Sequence, residues 1–277
     1  MKIYISVDLE GIGGVVGSYQ MGKSDTGAPV EVKRWATAEV NAAIEAAYLS
    51  GAEYVLVNEN HSGKDLILEE LDPRAEVLMG KPKQLTTLEG LDESFSAVFL
   101  LGIHSKSGTP TGVLNHTWHP KTIYEMRVNG YSLGEIGLNA LVAGHFRVPL
   151  ALVIGDRDAV IEAKSLLEQV EGAVVKVGVG RYAALLYHPS RAHSIIQTAV
   201  KNAISSLHAF KPFSLGLPAE MEIDFFDSGM ADRVEMVPTA VRIGPRTVSL
   251  PCENYLRLMY NLMIATILAK SMIDPVY

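Results

Sequence analysis

The chain has 277 residues, enough for one large domain or two small ones with an ample core. Hydrophobic residues make up 48% and charged residues 20%, a globular composition that excludes disorder as the default. A formal charge of −7 with no run of Lys and Arg excludes nucleic acid as the main partner.

Cys252 is the single cysteine, so no intrachain disulfide forms and a reducing compartment is expected. The longest apolar run, near residues 262–269, falls short of the about 20 residues that span a bilayer. Residues 1–7 already read as a strand rather than a secretory signal. The expectation is a cytoplasmic protein with no membrane partner.

In chain order, residues 2–7 read as a buried strand. Residues 29–50 read as a helix, with Pro29 at its first turn and Gly51 as its stop. Residues 54–57 and 97–101 are strands apolar enough to be covered on two faces. Asn129-Gly130, within residues 123–131, signals a hairpin. A helix over about 133–146, a strand over 149–154 and a helix over about 157–167 follow. Such alternation predicts an α/β fold, a mainly parallel sheet with helices on both faces. Beyond about residue 180 the pattern changes to a helix over 190–207, a strand over 220–226, a hairpin over 241–250 and a last helix over 253–270. These read as a smaller C-terminal α+β lobe, dividing the chain into a metal-binding catalytic domain, 1–180, and a lobe, 181–277.

Open α/β sheets place ligands at the carboxyl ends of their strands, and here three of those ends are polar. The first strand runs into Asp8 and Glu10, which point to one side because strand side chains alternate. Two anions on one face repel unless a positive charge lies between them or one is protonated. The second strand leads to Asn58-Glu59-Asn60-His61 and the third to His104. Glu135, in the first turn of the following helix, is a fifth candidate.

Carboxylates with imidazoles suit zinc, manganese or cobalt better than calcium or magnesium. Five such ligands exceed the needs of one tetrahedral zinc, so two metals sharing a carboxylate is the economical reading. A metal pair about 3.5–4 Å apart can activate water and polarise a carbonyl.

Each residue also has a structural reading. Asp8 and Glu10 could be a polar strand end on a glycine loop, and His61 or His104 a loop or core histidine. Ser132-Leu133-Gly134-Glu135 fits S-x-x-E, a helix capping box. His116 and His119 are three apart, but Pro120 and a polar loop disfavour the helix a metal pair would need. His145, His188, His193 and His208 read as surface or structural. The glycines after Glu10 do not satisfy G-x-G-x-x-G, because residue 16 is Val, and a carboxylate before them opposes a pyrophosphate. Gly11 and Gly13 are expected to let the backbone turn sharply. No G-x-S-x-G elbow supports nucleophilic serine catalysis.

SVDLEGIGG, VNENHS, LLGIHSKSGTPTGVLNHT and GYSLGEIGLNALVAGH, in this order and spacing, resemble the DppA-type zinc-dependent D-aminopeptidases of bacterial dipeptide-transport operons. The similarity extends to the C-terminal VPTAVRIG…TVSL and the last helix. It implies two zinc ions per chain held by Asp8, Glu10, His61, His104 and Glu135, with Asp8 shared, and His116 as catalytic nucleophile or base. It also implies removal of N-terminal D-amino acids from short peptides and a ring-shaped homo-oligomer, a homodecamer, enclosing the active sites. Two features depart from the family pattern: Glu59 stands where an aspartate is expected, and the loop between His104 and His116 is one residue longer.

The sequence thus points to a dinuclear zinc aminopeptidase. The nearest rival is a metal-dependent hydrolase of another amide or a phosphoester, which should line its site with Arg or Lys. A non-catalytic peptide- or metal-binding protein is the rival from another class.

Overall fold

The computed structural model describes residues 1–22 and 26–273. Strand β1 (Lys2–Val7) leads through a glycine-rich loop to helix α1 (Val30–Leu49), and strands β2 (Tyr54–Glu59), β3 (Glu76–Leu78) and β4 (Ala97–Ile103) follow. The hairpin β5 (Ile123–Val128) and β6 (Tyr131–Leu133) precedes helix α2 (Glu135–His145). Strand β7 (Leu150–Asp156), helix α3 (Arg157–Leu166), the strands β8 (Glu171–Gly180) and β9 (Ala183–Leu186) and helix α4 (Pro189–Ser205) come next. The chain closes with β10 (Ala219–Phe225), α5 (Ser228–Val234), β11 (Val241–Arg242), β12 (Thr247–Cys252) and α6 (Tyr255–Lys270).

The strands form two sheets. Seven run in the order β3-β2-β1-β4-β7-β8-β9, parallel except for the edge pair β8–β9. Five run in the order β11-β12-β10-β5-β6, all antiparallel. The predicted mainly parallel α/β layer and the second α+β element are both present.

Sheet membership interleaves along the chain. Hairpin β5–β6 joins the antiparallel sheet, whereas β9 and α4, beyond residue 180, belong with the parallel layer, where α4 packs on α1 and β8.

Strand β4 is buried at every position, as a doubly covered strand requires. Alternate residues of the parallel strands feed two cores. Ile3, Ile5 and Val7 pack with Val32, Ala36 and Val40 of α1 and with Ile196 and Val200 of α4. Tyr4, Val98 and Leu100 face the other way, toward α2, α3, α6 and the antiparallel sheet. Each such aliphatic side chain is worth about 1.5–3 kcal/mol relative to exposure. Packing rather than capping therefore holds α1, whose N-cap Pro29 makes no side-chain hydrogen bond.

The strand order places the site. From β1 the chain steps one way to β2 and β3, then returns to β4 on the other side of β1. This reversal opens a crevice beyond the carboxyl ends of β1 and β4, the switch point where open α/β sheets bind ligands. There the backbone after β1 lies against the end of β4, with Asp8 N–H donating to Leu101 O (2.8 Å) and Gly11 N–H to Gly102 O (2.6 Å). Gly102 has φ +73°, and a Cβ on it would lie 2.1 Å from Asp8 O. Only glycine fits that position.

Candidate metal centre

All six candidate residues meet at this crevice. Asp8 and Glu10 follow β1, His61 follows β2, His104 follows β4, and Glu135 opens α2. Asp8, Glu10 and His104 offer atoms within 4.8 Å of one another, as do His104, His116 and Glu135. The two groups share His104. Nε2 of His61 lies 3.7 Å from Glu10 Oε1 and completes the cluster on the β2 side. Leu9, between the two carboxylates, points into the core packed on α1, as strand alternation predicts.

Each imidazole has its Nδ1 committed. In His61 it meets Asp65 Oδ2 at 2.7 Å, in His104 the Ser105 carbonyl at 3.0 Å, and in His116 the Leu114 carbonyl at 2.9 Å. Each of those partners is an acceptor, so each Nδ1 carries the proton and each Nε2 presents a lone pair. All three lone pairs face carboxylates: His104 Nε2 is 3.2 Å from Glu135 Oε1 and 3.6 Å from Asp8 Oδ2, and His116 Nε2 is 3.7 Å from Glu135 Oε1. Among the described residues, His104 Nε2 and Glu10 Oε2 are buried without a hydrogen-bond partner. Lone pairs facing anions in a buried site require cations between them, either protons or metal ions. This N/O donor set suits zinc, so the residues present fit the metal the sequence suggests.

Without metal the same geometry sets the proton affinities. Burial, then Glu10, pushes the Asp8 carboxyl well above its ordinary range. Burial also acts on Glu10, but His61, His116 and His104 outweigh it and hold that carboxyl at about 2. For His61, burial opposes the charge, yet Glu10, Asp65 and Asp8 carry the imidazole up to about 10. Burial is likewise overcome at His104, chiefly by Glu135, and its pKa is raised. His116 differs: burial and the neighbouring His104 lower it, leaving a neutral imidazole stacked on His104 with ring centroids 3.9 Å apart.

The loop that delivers His116 is tightly held. Leu114 and Trp118 both have left-handed backbones, φ +51° and +61°, a strained conformation for large residues that tends to mark functional segments. Asn115 Nδ2 donates to the carbonyls of Thr109 and Gly112, and Val113 N–H donates to Asp156 Oδ2 at the end of β7 (2.6 Å). Trp118 N–H donates to Glu135 Oε1 (2.9 Å), tying the loop to α2. Above the floor lies a cleft of about 750 Å³, lined by Asp8, Glu10, His61, His116 and Glu135 and walled by Trp118 and Lys121.

The capping-box reading of Glu135 fails. Gly134 is the N-cap and Glu135 the first helical residue, while Ser132 lies in β6 and accepts a hydrogen bond from Lys106 Nζ (2.6 Å). The Glu135 carboxylate is thereby left to the cleft. His116 and His119 share no helix, and His119 instead pairs with Thr122 Oγ1 (3.1 Å). Gly11 and Gly13 lie, as expected, in tight turns, closed by Ile12 N–H to Leu9 O (3.1 Å) and Val15 N–H to Ile12 O (2.9 Å), and neither has a positive φ. Close approach requires them, since a Cβ on Gly11 would lie 2.2 Å from Ile103 O.

Sequence reasoning missed the anchors. Asp65 holds His61 and also accepts from Ala28 N–H (2.7 Å). The signal available was chemical: a metal-ligating histidine seeks a carboxylate or carbonyl for its other nitrogen, and Asp65 is an acid four residues on.

The profile of the D-aminopeptidase family matches residues 1–264. The chain belongs to the D-aminopeptidase family. A curated relative, the D-aminopeptidase of Bacillus subtilis (strain 168), is 33% identical over 283 residues, covering 97% of this chain and 98% of its own. Among solved structures, the zinc-dependent D-aminopeptidase DppA from Bacillus subtilis, described as a self-compartmentalizing protease, superimposes with a TM-score of 0.94 at 30% identity over the whole of both chains. Membership in this family of metallo-aminopeptidases leaves the phosphoester and non-catalytic readings without support.

Proposed function

We propose that the protein removes N-terminal D-amino acids from short peptides with two zinc ions. Asp8, Glu10 and His61 hold one ion, and Asp8, His104 and Glu135 hold the other. The observation that carries this reading is the set of imidazole Nε2 lone pairs aimed at buried carboxylates at the sheet's switch point. When bound, the zinc pair supplies a Lewis acid for the scissile carbonyl and lowers the pKa of the attacking water.

The chain's own groups do the rest. Asp65 and the Ser105 carbonyl fix the His61 and His104 rings so that only Nε2 faces the metals. His116, neutral and with its proton on Nδ1, offers Nε2 to take a proton from the nucleophile and return it to the leaving amine. Direct attack by that Nε2 is the other form its role can take. The buried floor restricts water to the cleft side.

By similarity to the self-compartmentalizing DppA, the proposal includes a ring-shaped homo-oligomer, a homodecamer, with the clefts facing an enclosed space. It also includes a cytoplasmic location, in keeping with the single buried Cys252.

The test is a panel of D- and L-aminoacyl amides and short peptides with zinc-replete protein. Turnover of D-substrates that chelation abolishes and zinc restores is the expected result. Equal turnover of L-substrates overturns the stereochemical part, and turnover that survives chelation overturns the metal assignment.

A further inference from the structure

Beneath Glu10 the loop of residues 10–15 rests on two buried ionisable side chains, Lys176 and Glu39, that none of the proposed ligand roles uses. Lys176, in the middle of β8, is 0% exposed. Its Nζ donates to the carbonyls of Glu10, Ile12 (2.8 Å) and Val15 (2.6 Å). An ammonium has three protons to donate, and three carbonyls of one short loop take them all. From α1 comes Glu39, 3% exposed, whose Oε1 accepts from Gly13 N–H at 2.9 Å while its Oε2 has no hydrogen-bond partner among the described residues. A Cβ on Gly13 would lie 2.7 Å from Glu39 Oε1, so glycine at this position is what lets the carboxylate reach the backbone.

A charged lysine inside a parallel sheet carries a desolvation cost that an apolar residue of the same length avoids. Here the cost is set against a specific geometry. The loop is gripped from one side through its carbonyls and from the other through an amide, and one gripped carbonyl belongs to Glu10 itself. Turning that peptide unit would swing the Glu10 carboxylate away from His61. The other half of the cluster is anchored elsewhere, His104 by Ser105 O and Glu135 by Trp118 N–H.

We infer that Lys176 and Glu39 are positioning residues that clamp the Glu10–Val15 loop and so set the metal site on the Glu10–His61 side. This rests on the ligand set proposed above.

The experiment is zinc binding by the full-length protein, read as ions per chain against chelators of graded strength. Melting temperature and turnover are followed in parallel. Lys176→Met, close to isosteric and uncharged, should weaken one of the two zinc ions about 10–100-fold, the range for losing a partner that orients a ligand, and leave the other at wild-type affinity. Adding Glu135→Gln should then remove the second. Glu39→Leu, which tests the clamp even if Lys176→Met fails to fold, should weaken the same single ion. Glu39→Gln keeps an acceptor for Gly13 N–H and should restore it. A purely structural role predicts a lower melting temperature with both ions lost together or both kept. Either of those outcomes in a folded variant overturns the clamp. Wild-type protein that takes up fewer than two zinc ions overturns the ligand set, and the clamp with it.

Discussion

The two sides of the cleft hold the same side-chain types by different means. On the β2 side, His61 leans on an anion: its Nδ1–H donates to Asp65, and Glu10, Asp65 and Asp8 together make the ring strongly basic. On the β4 side, His104 and His116 lean on backbone carbonyls. There both Nε2 atoms face Glu135 Oε1, and burial and the neighbouring ring separate the two outcomes. His104, set against Glu135, has its pKa raised, whereas burial, then the stacked His104, lowers the pKa of His116. Two of the three histidines are thereby pushed up and the third down. A basic imidazole suits a ligand, and an imidazole neutral at physiological pH suits a group that must take up a proton during turnover.

The comparison breaks most visibly at His116. If the β4 side divides its histidines between binding and chemistry, His116→Ala should lower kcat by about 10²–10⁴-fold while both zinc ions remain. Steady-state kinetics beside metal analysis decides it, and loss of an ion would make His116 a ligand. Glu135→Gln comes next. The glutamine oxygen still accepts from Trp118 N–H, so the metal-free variant should melt close to wild type. The lost charge should cost one zinc and most turnover. Near-normal activity with two ions bound would remove Glu135 from the ligand set.

Asp65→Asn probes the β2 side alone. An amide is a poorer partner for the His61 N–H, and zinc affinity there should fall about 10–100-fold, measured by competition with a chelator. The β4-side ion should be unaffected.

The smallest effect concerns pH in the metal-free protein. His61 rises from 6.5 to about 10, so its contribution to stability is complete below pH 6.5 and lost as pH climbs through 10. Glu10 falls from 4.5 to about 2, so its contribution is complete above pH 4.5 and lost as pH drops through 2. Together they place the pair's full contribution between pH 4.5 and 6.5. The difference in melting temperature between metal-free wild type and His61→Gln should therefore be flat across that window and shrink toward pH 10. A difference that grows with alkaline pH in the absence of metal would contradict the His61–Glu10–Asp65 arrangement.

The proposed ligands were legible as candidates in the sequence because each stands just past a strand, or at the start of a helix, whose apolar pattern is plain. Asn129-Gly130 was equally legible: both residues have positive φ, +49° and +81°, as a tight hairpin turn between twisted strands needs. Strand β8 was missed because Lys176 interrupts a run of Val, Ala and Gly that otherwise alternates poorly. The same lysine explains why it could be missed, since its partners are loop carbonyls more than 160 residues away in the chain. Helix α5 is too short for its period to register. Glu135 was ambiguous for a local reason: S-x-x-E matches a capping box, and only the β6 pairing, which draws Ser132 into the strand, moves the N-cap to Gly134. Anchors such as Asp65 and Glu39 carry no pattern of their own. They are defined by what folds against them.

The most direct test of the central assignment is anomalous diffraction at the zinc absorption edge from crystals of the zinc-loaded protein. Two peaks per chain are predicted, about 3.5–4 Å apart, with Asp8 between them, Glu10 and His61 on one and His104 and Glu135 on the other. A single peak, or peaks away from these five residues, would contradict the account.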